Sequence, residues 1–211
     1  MAGTREKYEE YNLTQSFSEE DPFTRERYEQ FHKCMPKGAT SVLDVGAGLG
    51  RGGARLNELN PDYKISAIDI VRSRLERLPE CYECGLLGTS TNIPIDDYSL
   101  DAIVAGEFIE HLYPADVDPT ICEFQRVLKI GGRLMMTTPN PASLKLIYKK
   151  GTVYTVGHLT QHWPVEMKRR LRMHGFSRVK IMGSGKTVRY LGSHFPILSA
   201  YGSYLVMGDK I

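Results

Sequence analysis

The chain has 211 residues, 41% of them hydrophobic, a size and composition suited to one α/β domain with a sizeable core. Its 27 basic and 25 acidic side chains leave a formal net charge of +2, which excludes a strong overall field for a long polyanion. The sequence has no run of 18 apolar residues that would cross a membrane, and its polar start lacks a signal-peptide core. We therefore expect a cytoplasmic protein without membrane insertion.

Helices and strands alternate along the chain, starting with a helix near Thr24 to Cys34 that the turn at Pro36 ends. After the first strand, the expected elements are helices at 54–59 and 72–78, a loop at 88–99 followed by an apolar strand, a helix beginning near Phe108, a further helix including 123–128, a strand at 133–138, a helix at 164–174, and strands at 178–182 and 203–207. This alternation predicts a parallel sheet covered on both faces, with a ligand at the carboxyl ends of its strands.

The most informative segment is residues 42–53, which reads VLDVGAGLGRGG. An apolar strand leads into the pattern D-x-G-x-G-x-G from Asp44 to Gly50, and the next strand, residues 64–68, ends in Asp69. Alternate glycines allow a strand-to-helix turn with positive φ and a close approach of a ligand to the backbone. A carboxylate at the tip of the following strand can accept both hydroxyls of a ribose. Together these elements predict a nucleoside-binding unit.

The order of residues in this turn argues against a dinucleotide. A dinucleotide fingerprint reads G-x-G-x-x-G and places a pyrophosphate at the N-terminus of the helix. Here the motif contains Asp44, whose carboxylate would repel a phosphate but suit a cation. A ligand with an adenosine, a ribose diol and a positively charged amino-acid end fits, which indicates S-adenosylmethionine. The alternative is an ordinary glycine-rich turn between strand and helix.

The four cysteines, Cys34, Cys81, Cys84 and Cys122, need no disulfide framework in a chain of this size that is expected to be intracellular. Cys81 and Cys84 have the spacing of a metal knuckle. Because no second C-x-x-C exists to complete a tetrahedral site, the pair argues against zinc.

Several motifs in order resemble the class I S-adenosylmethionine-dependent methyltransferases: LDVGAGLG, the acid of AIDI, NIPIDDYSLDAIVAGEFIEHL and FQRVLKIGGRLMMTTPN. The resemblance covers about residues 40–182 and implies a Rossmann-like, doubly wound, mostly parallel seven-stranded sheet with the last strand antiparallel. It also implies a set of cofactor-binding residues at the strand ends, namely Asp44, Gly46, Ala47, Gly48, Asp69, Ile70, Thr91, Asn92, Ile93, Gly106 and Glu107.

One departure concerns the adenine contact. Many members of the family carry an acid at the position of Thr89, which is neutral here, so the backbone of Ser90 and Thr91 is expected to substitute. We interpret the whole chain as a single methyltransferase domain. Residues 1–40 would form a helical lid, 41–140 the cofactor-binding core, and 141–211 the acceptor side and sheet edge, with an insertion at 183–196.

A second chemical motif, Glu107-Phe108-Ile109-Glu110-His111, follows the fourth strand. On an α-helix, positions i, i+3 and i+4 fall within an arc of about 100°, so Glu107, Glu110 and His111 would share one face. Two carboxylates and an imidazole suit a hard divalent cation such as Mg²⁺ or Mn²⁺. A fourth ligand would come from His158 or His162.

The pattern E-x-x-E-H with a later histidine is similar to the magnesium-dependent 2′-O-methyltransferases of small-RNA 3′ ends and to some sugar O-methyltransferases. That resemblance implies Glu107, Glu110, His111 and His158 as metal ligands. His162 is then a candidate base or supporting group, and Glu107 and His111 are further catalytic candidates. In metal-free relatives, a histidine after this strand packs on the cofactor or acts as the base.

The residues leave several functions open. The first is methylation of a sugar hydroxyl, in a free sugar, a glycan or a sugar-containing small molecule, and the second is methylation of an RNA ribose, for which the basic cluster Lys168 to Arg172 would supply phosphate contacts. Metal-free methylation of a small molecule and non-catalytic cofactor binding are further alternatives. The acceptor atom and the oligomeric state are not determined by these residues.

Overall fold

The computed structural model describes residues 23–155 and 157–211. Its strands are β1 Ser41–Val45, β2 Lys64–Asp69, β3 Tyr82–Leu87, β4 Leu100–Gly106, β5 Leu128–Pro139, β6 Phe176–Ser184 and β7 Ser203–Lys210. They form one sheet in the order β3-β2-β1-β4-β5-β7-β6. The strands from β3 to β5 pair in parallel, whereas β7 is antiparallel to both of its neighbours. The predicted fold class is therefore confirmed.

Helices cover both faces of the sheet, because parallel neighbours need crossover connections. They are α1 Thr24–Cys34, α2 Arg51–Leu59, α3 Arg72–Leu75, α4 Pro114–Val127, α5 Leu144–Tyr148, α6 Pro164–Met173 and α7 Val188–Leu191. Side chains alternate along β4, so that Ile103 packs into one apolar cluster with Phe124, and Val104 into another with Phe31. The core thus lies in two layers, one on each face of the sheet. In the described ranges, no helix combines the length and apolar character needed to cross a membrane.

The expectation of a helix beginning near Phe108 is wrong. The chain there makes one 3₁₀ turn, Ile109–His111, and the two helices predicted between residues 108 and 128 are a single helix, α4. Pro114 occupies the first turn of α4, where its fixed φ suits a helix start, and Tyr113 before it is extended as a residue preceding proline prefers. The proline therefore separates Glu107 to His111 from the helix.

Strand β3 was not predicted, and the helix expected at 72–78 ends at Leu75. The C-x-x-C pair lies at this strand, with Cys81 just before it and Cys84 exposed within it. Because successive side chains of a strand point to opposite faces, residues three apart do not converge on one ion. This geometry agrees with the argument against zinc.

Helix α1 packs over the sheet and over α2. The ring of Tyr28 lies where a Cβ on Gly52 would be 2.0 Å from Cζ, and Gln30 Nε2 donates to the carbonyl oxygen of Gly183 at 2.8 Å. Arg189, in α7 of the insertion, pairs with Glu26 of α1. The first 22 residues of the predicted lid lie outside the described residues, so the lid stays a prediction.

Candidate functional site

The glycine turn stands at the carboxyl end of β1, and its three glycines have different tasks. Gly46, Gly48 and Gly50 all adopt positive φ, at 66°, 56° and 75°. A Cβ on Gly46 would lie 2.7 Å from the Phe108 ring, and one on Gly50 would lie 2.6 Å from Pro79, so both positions serve packing. A Cβ on Gly48 would meet no described heavy atom within 4 Å. Gly48 is therefore the glycine that borders open space where a ligand can approach the backbone.

Asp69 is at the carboxyl end of β2, beside this turn, as the sequence predicts. Its Oδ2 accepts from Gly48 N at 3.1 Å and its Oδ1 from Val71 N at 2.9 Å. Arg74 lies 3.7 Å from Oδ1. Burial raises the pKa of the Asp69 carboxyl, although the backbone bonds oppose this shift. A carboxylate has about four acceptor positions, so these two backbone bonds do not exhaust its capacity to accept from a vicinal diol.

Asp44 is not available to a cationic end of the cofactor in this arrangement, which corrects the sequence-based interpretation. The residue is fully buried, and its two oxygens accept from Tyr28 Oη and Tyr82 Oη, each at 2.6 Å. The tyrosines come from α1 and β3, elements that sequence spacing could not bring to this carboxylate. Burial raises the pKa of Asp44 to about 6 in spite of the tyrosine hydrogen bonds.

The loop expected to flank adenine is held by α4. The buried Ser90 shares a hydrogen bond with Thr120 at 2.7 Å, and Ile93 N donates to Glu123 Oε2 at 2.8 Å. Arg126 donates to the Ile93 carbonyl oxygen at 2.8 Å. Sequence reasoning missed these α4 side chains, for which the chain carries no local motif.

The remaining residues assigned to the cofactor surround this loop and turn. Ile70 and Thr91 are half-buried, Asn92 is exposed, and Ala47 is half-buried beside Gly48. Thr91 Oγ1 lies 3.0 Å from Thr89 Oγ1. Contact of any of them with the cofactor stays a prediction.

Glu107 directly follows β4 and has a φ of +51°, and its backbone N donates to Thr137 O at 3.0 Å. Its side chain turns toward α1 and β7, where Oε1 is 3.9 Å from Arg27 and Oε2 accepts from Ser203 Oγ at 3.4 Å. The α-helix expected to align Glu107 with Glu110 is replaced by a 3₁₀ turn, and a role for Glu107 as a metal ligand stays a prediction. The Arg27 side chain packs over neighbouring Gly106. A Cβ on Gly106 would lie 2.8 Å from Arg27 Cδ.

Three of the four predicted metal ligands do converge. Glu110, His111 and His158 each offer one ligand atom, and these three atoms lie within 4.8 Å of one another. His158 reaches this position because its loop is tied to the 3₁₀ turn, where Leu159 N and Thr160 N donate to Glu110 O at 2.8 and 3.0 Å. These two backbone bonds join segments about fifty residues apart in sequence.

The two histidines are oriented by carbonyl groups. His111 Nδ1 lies 2.6 Å from Gly157 O, and His158 Nδ1 lies 2.8 Å from Val153 O. A carbonyl oxygen only accepts, so the Nδ1 of each ring carries a proton in this contact. Metal-bound histidines are oriented in the same way by acceptors behind them. Burial lowers the pKa of His111 to about 4, so that its imidazole is neutral at pH 7.

Glu110 is 1% exposed, and its Oε2 accepts from Thr138 Oγ1 at 3.0 Å. Its Oε1 accepts no hydrogen bond from the described residues. Burial raises the pKa of Glu110 well above its usual range, and the charge of Glu107 adds to the shift. An orphaned buried carboxylate oxygen is costly unless a cation or a donor compensates it.

His162 lies outside the convergent group. Its Nε2 is 2.8 Å from Thr160 Oγ1 and 3.4 Å from Ile109 O, and burial lowers its pKa to about 4. The ring borders a cavity of about 240 Å³ whose polar lining includes Gln161, Glu166 and Arg170. A role for His162 as a base stays a prediction.

Comparison with known proteins finds methyltransferases among the relatives of this chain. Residues 43–136 match the family model described as "Methyltransferase domain". An "Uncharacterized methyltransferase" of Mycobacterium tuberculosis is 38% identical over 104 residues, which are 47% of this chain and 40% of that protein. A "Probable S-adenosylmethionine-dependent methyltransferase" of the same species is 35% identical over 107 residues, covering 48% of this chain and 36% of that protein. The chain thus matches less than half the length of these relatives.

A solved structure has the same fold along most of the chain. The S-adenosylmethionine-dependent methyltransferase from Archaeoglobus fulgidus aligns with a TM-score of 0.69 at 20% identity, covering 88% of this chain and 92% of that one. Residues 43–136 of the present chain are therefore similar to a methyltransferase domain, and the fold of the chain is the one seen in that solved methyltransferase.

The raised pKa of Asp44 predicts a characteristic pH dependence of stability. The folded protein holds this proton up to a pKa of about 6, against an ordinary value of 3.8. The bound proton therefore stabilises the folded state in acid, and this stabilisation is lost as the pH rises from 3.8 through about 6. The free energy of unfolding of the wild type, minus that of Asp44→Asn, should fall by about 2 kcal/mol between pH 4 and pH 7.

Urea unfolding at several pH values measures this difference. Asp96→Asn, at an exposed loop position, is the control and should give a flat difference. Parallel stability curves for wild type and Asp44→Asn would contradict the assignment.

Proposed function

We propose that this protein transfers a methyl group from S-adenosylmethionine to a sugar hydroxyl, with a divalent cation bound by Glu110, His111 and His158. The observation that carries the proposal is the convergence of these three side chains near the carboxyl end of β4, at the same sheet edge as the glycine turn. An edge that presents a nucleoside-binding turn and a ligand cluster together suits a donor and an acceptor held side by side.

The residues for the donor fit S-adenosylmethionine. Gly48 borders open space at the turn, and the Asp69 carboxylate, fixed by two backbone N–H groups, keeps acceptor positions for a ribose diol. When bound, the cofactor supplies an electrophilic methyl group on a sulfonium. The contribution of the chain is to hold the two reactants in line, which is the main requirement for such a transfer.

The ligand set also fits a cation. Two imidazoles and one carboxylate leave coordination positions open, as in catalytic rather than structural metal sites. Imidazole nitrogen is a softer ligand than oxygen, so the pair of histidines favours Mn²⁺ over Mg²⁺. At the open positions the ion would hold two vicinal hydroxyls of the sugar. Because a sugar hydroxyl does not ionise by itself at pH 7, the ion would also stabilise the alkoxide that develops during the transfer.

The RNA alternative receives no comparable support. The basic cluster at Lys168 to Arg172 lies along α6, with Arg169 and Arg172 exposed to solvent. Arg170 is turned toward Asp118, at 3.5 Å. This is the arrangement of a solvated helix face, and sugar acceptors remain the better fit.

Cofactor binding is the first prediction of this proposal. Asp69→Asn removes the negative charge and one acceptor oxygen facing the ribose, and should weaken binding of S-adenosylhomocysteine by at least about tenfold. Isothermal titration calorimetry measures the affinity. Asp62→Asn, at an exposed position before β2, should bind as the wild type does. Equal affinity of Asp69→Asn and the wild type would overturn the assignment of the ribose, and turnover would exclude a non-catalytic role.

Metal dependence is the second prediction. Methyl transfer to a panel of sugars should fall by at least about a hundredfold on chelation and return with Mn²⁺. Glu110→Gln and His158→Gln should lose Mn²⁺ binding, measured by electron paramagnetic resonance. His194→Gln, in the exposed insertion, is the matched control. Sugar methylation that survives chelation would contradict the metal, and activity confined to RNA with a steep salt dependence would contradict the acceptor.

A further inference from the structure

A cysteine, a histidine and an aspartate form a hydrogen-bonded chain on the surface between α4 and α6. Cys122 Sγ lies 3.4 Å from His174 Nδ1, and His174 Nε2 lies 3.0 Å from Asp118 Oδ1. Cys122 and Asp118 are one turn apart on α4, and His174 directly follows the last residue of α6. The packing of these two helices therefore brings the three side chains together.

The order of the three groups assigns a role to each. A carboxylate accepts, so His174 donates from Nε2 to Asp118 and keeps its lone pair on Nδ1, facing the thiol. The thiol proton then points to Nδ1, and transfer of this proton leaves a thiolate beside an imidazolium that Asp118 stabilises. Nucleophile, base and orienting carboxylate are the parts of an activated nucleophile. Arg170, 3.5 Å from Asp118 Oδ1, helps to hold the carboxylate in place.

This chain of contacts does not form a metal site and does not belong to the proposed active site. The two nitrogens of His174 face different partners, so the three side chains do not converge on one point. His174 precedes Phe176, at the start of β6, whereas the cofactor turn and the Glu110 cluster lie where parallel strands end. The inference is therefore independent of the proposed function.

Cys122 differs from the other three cysteines, all of which lie within the described ranges. Cys84 is also exposed, but its contact is with the Ser66 hydroxyl at 3.3 Å, which is not a base. Cys34 and Cys81 are half-buried, and burial raises the pKa of both thiols. Exposure and a positioned base coincide at Cys122.

We propose that Cys122 is a reactive thiol and a site of covalent modification by hydroperoxides. The thiolate sulfur attacks one oxygen of the peroxide, the S–O bond forms as the O–O bond breaks, and cysteine is oxidised to sulfenic acid. The hydroperoxide is reduced to an alcohol, whose leaving oxygen takes the proton held by His174. Accessible thiolates next to a protonated histidine are the cysteines most readily oxidised in this way.

Limited alkylation of the full chain tests the activation. With iodoacetamide at pH 7 and peptide mass spectrometry, Cys122 should react about tenfold faster than Cys84 in the same molecules. His174→Gln should reduce the Cys122 rate to that of Cys84, and Asp118→Asn should reduce it in part. His32→Gln, which alters a histidine bound to Tyr63 elsewhere, is the matched control and should leave the rate unchanged. Equal rates at Cys122 and Cys84, or a rate unaffected by His174→Gln, would overturn the proposal.

Treatment with hydrogen peroxide followed by dimedone, a probe for sulfenic acids, tests the modification. The label should appear at Cys122 before Cys84 and should disappear from this peptide in Cys122→Ser. Preferential labelling of Cys84, or no label at Cys122, would overturn the assignment of the oxidation site.

Discussion

The buried carboxylate of Asp44 at the end of β1 is the feature on which the cofactor side of this structure depends. A carboxylate removed from water requires hydrogen-bond donors, and here they come from Tyr28 of α1 and Tyr82 of β3. These bonds join the N-terminal helix, the first strand and the edge strand. Tyr82 also reaches the start of α2, where its hydroxyl accepts from Gly53 N at 2.9 Å.

The two tyrosines explain why the segment after the turn is also rich in glycine. A Cβ on Gly52 would lie 2.0 Å from Tyr28 Cζ, and one on Gly53 would lie 2.1 Å from the Tyr82 hydroxyl oxygen. These glycines make room for aromatic rings, whereas Gly48 borders the open space for a ligand. The motif thus combines positions for packing with one that borders open space, and its acid organises the turn through the two tyrosines.

The core of this architecture could be predicted from the sequence because local patterns determine it. Helix α1 was predicted with its observed bounds, and Asp69 stands at the end of β2 as the acid-tipped strand indicates. The errors arose where contacts distant in sequence decide the structure. Helix α4 begins only at Pro114, after the segment from Glu107 to His111, and His158 joins the cluster through backbone bonds of its loop. No periodicity in the sequence encodes such contacts.

A crystal structure of the protein with S-adenosylhomocysteine and Mn²⁺, recorded with anomalous scattering, tests the account most directly. We expect the ribose hydroxyls on the Asp69 carboxylate, the manganese among Glu110, His111 and His158, and Asp44 still bound to both tyrosine hydroxyls. An Asp44 carboxylate released from the tyrosines to bind the cofactor amino group, or a ribose bound away from Asp69, would contradict these assignments.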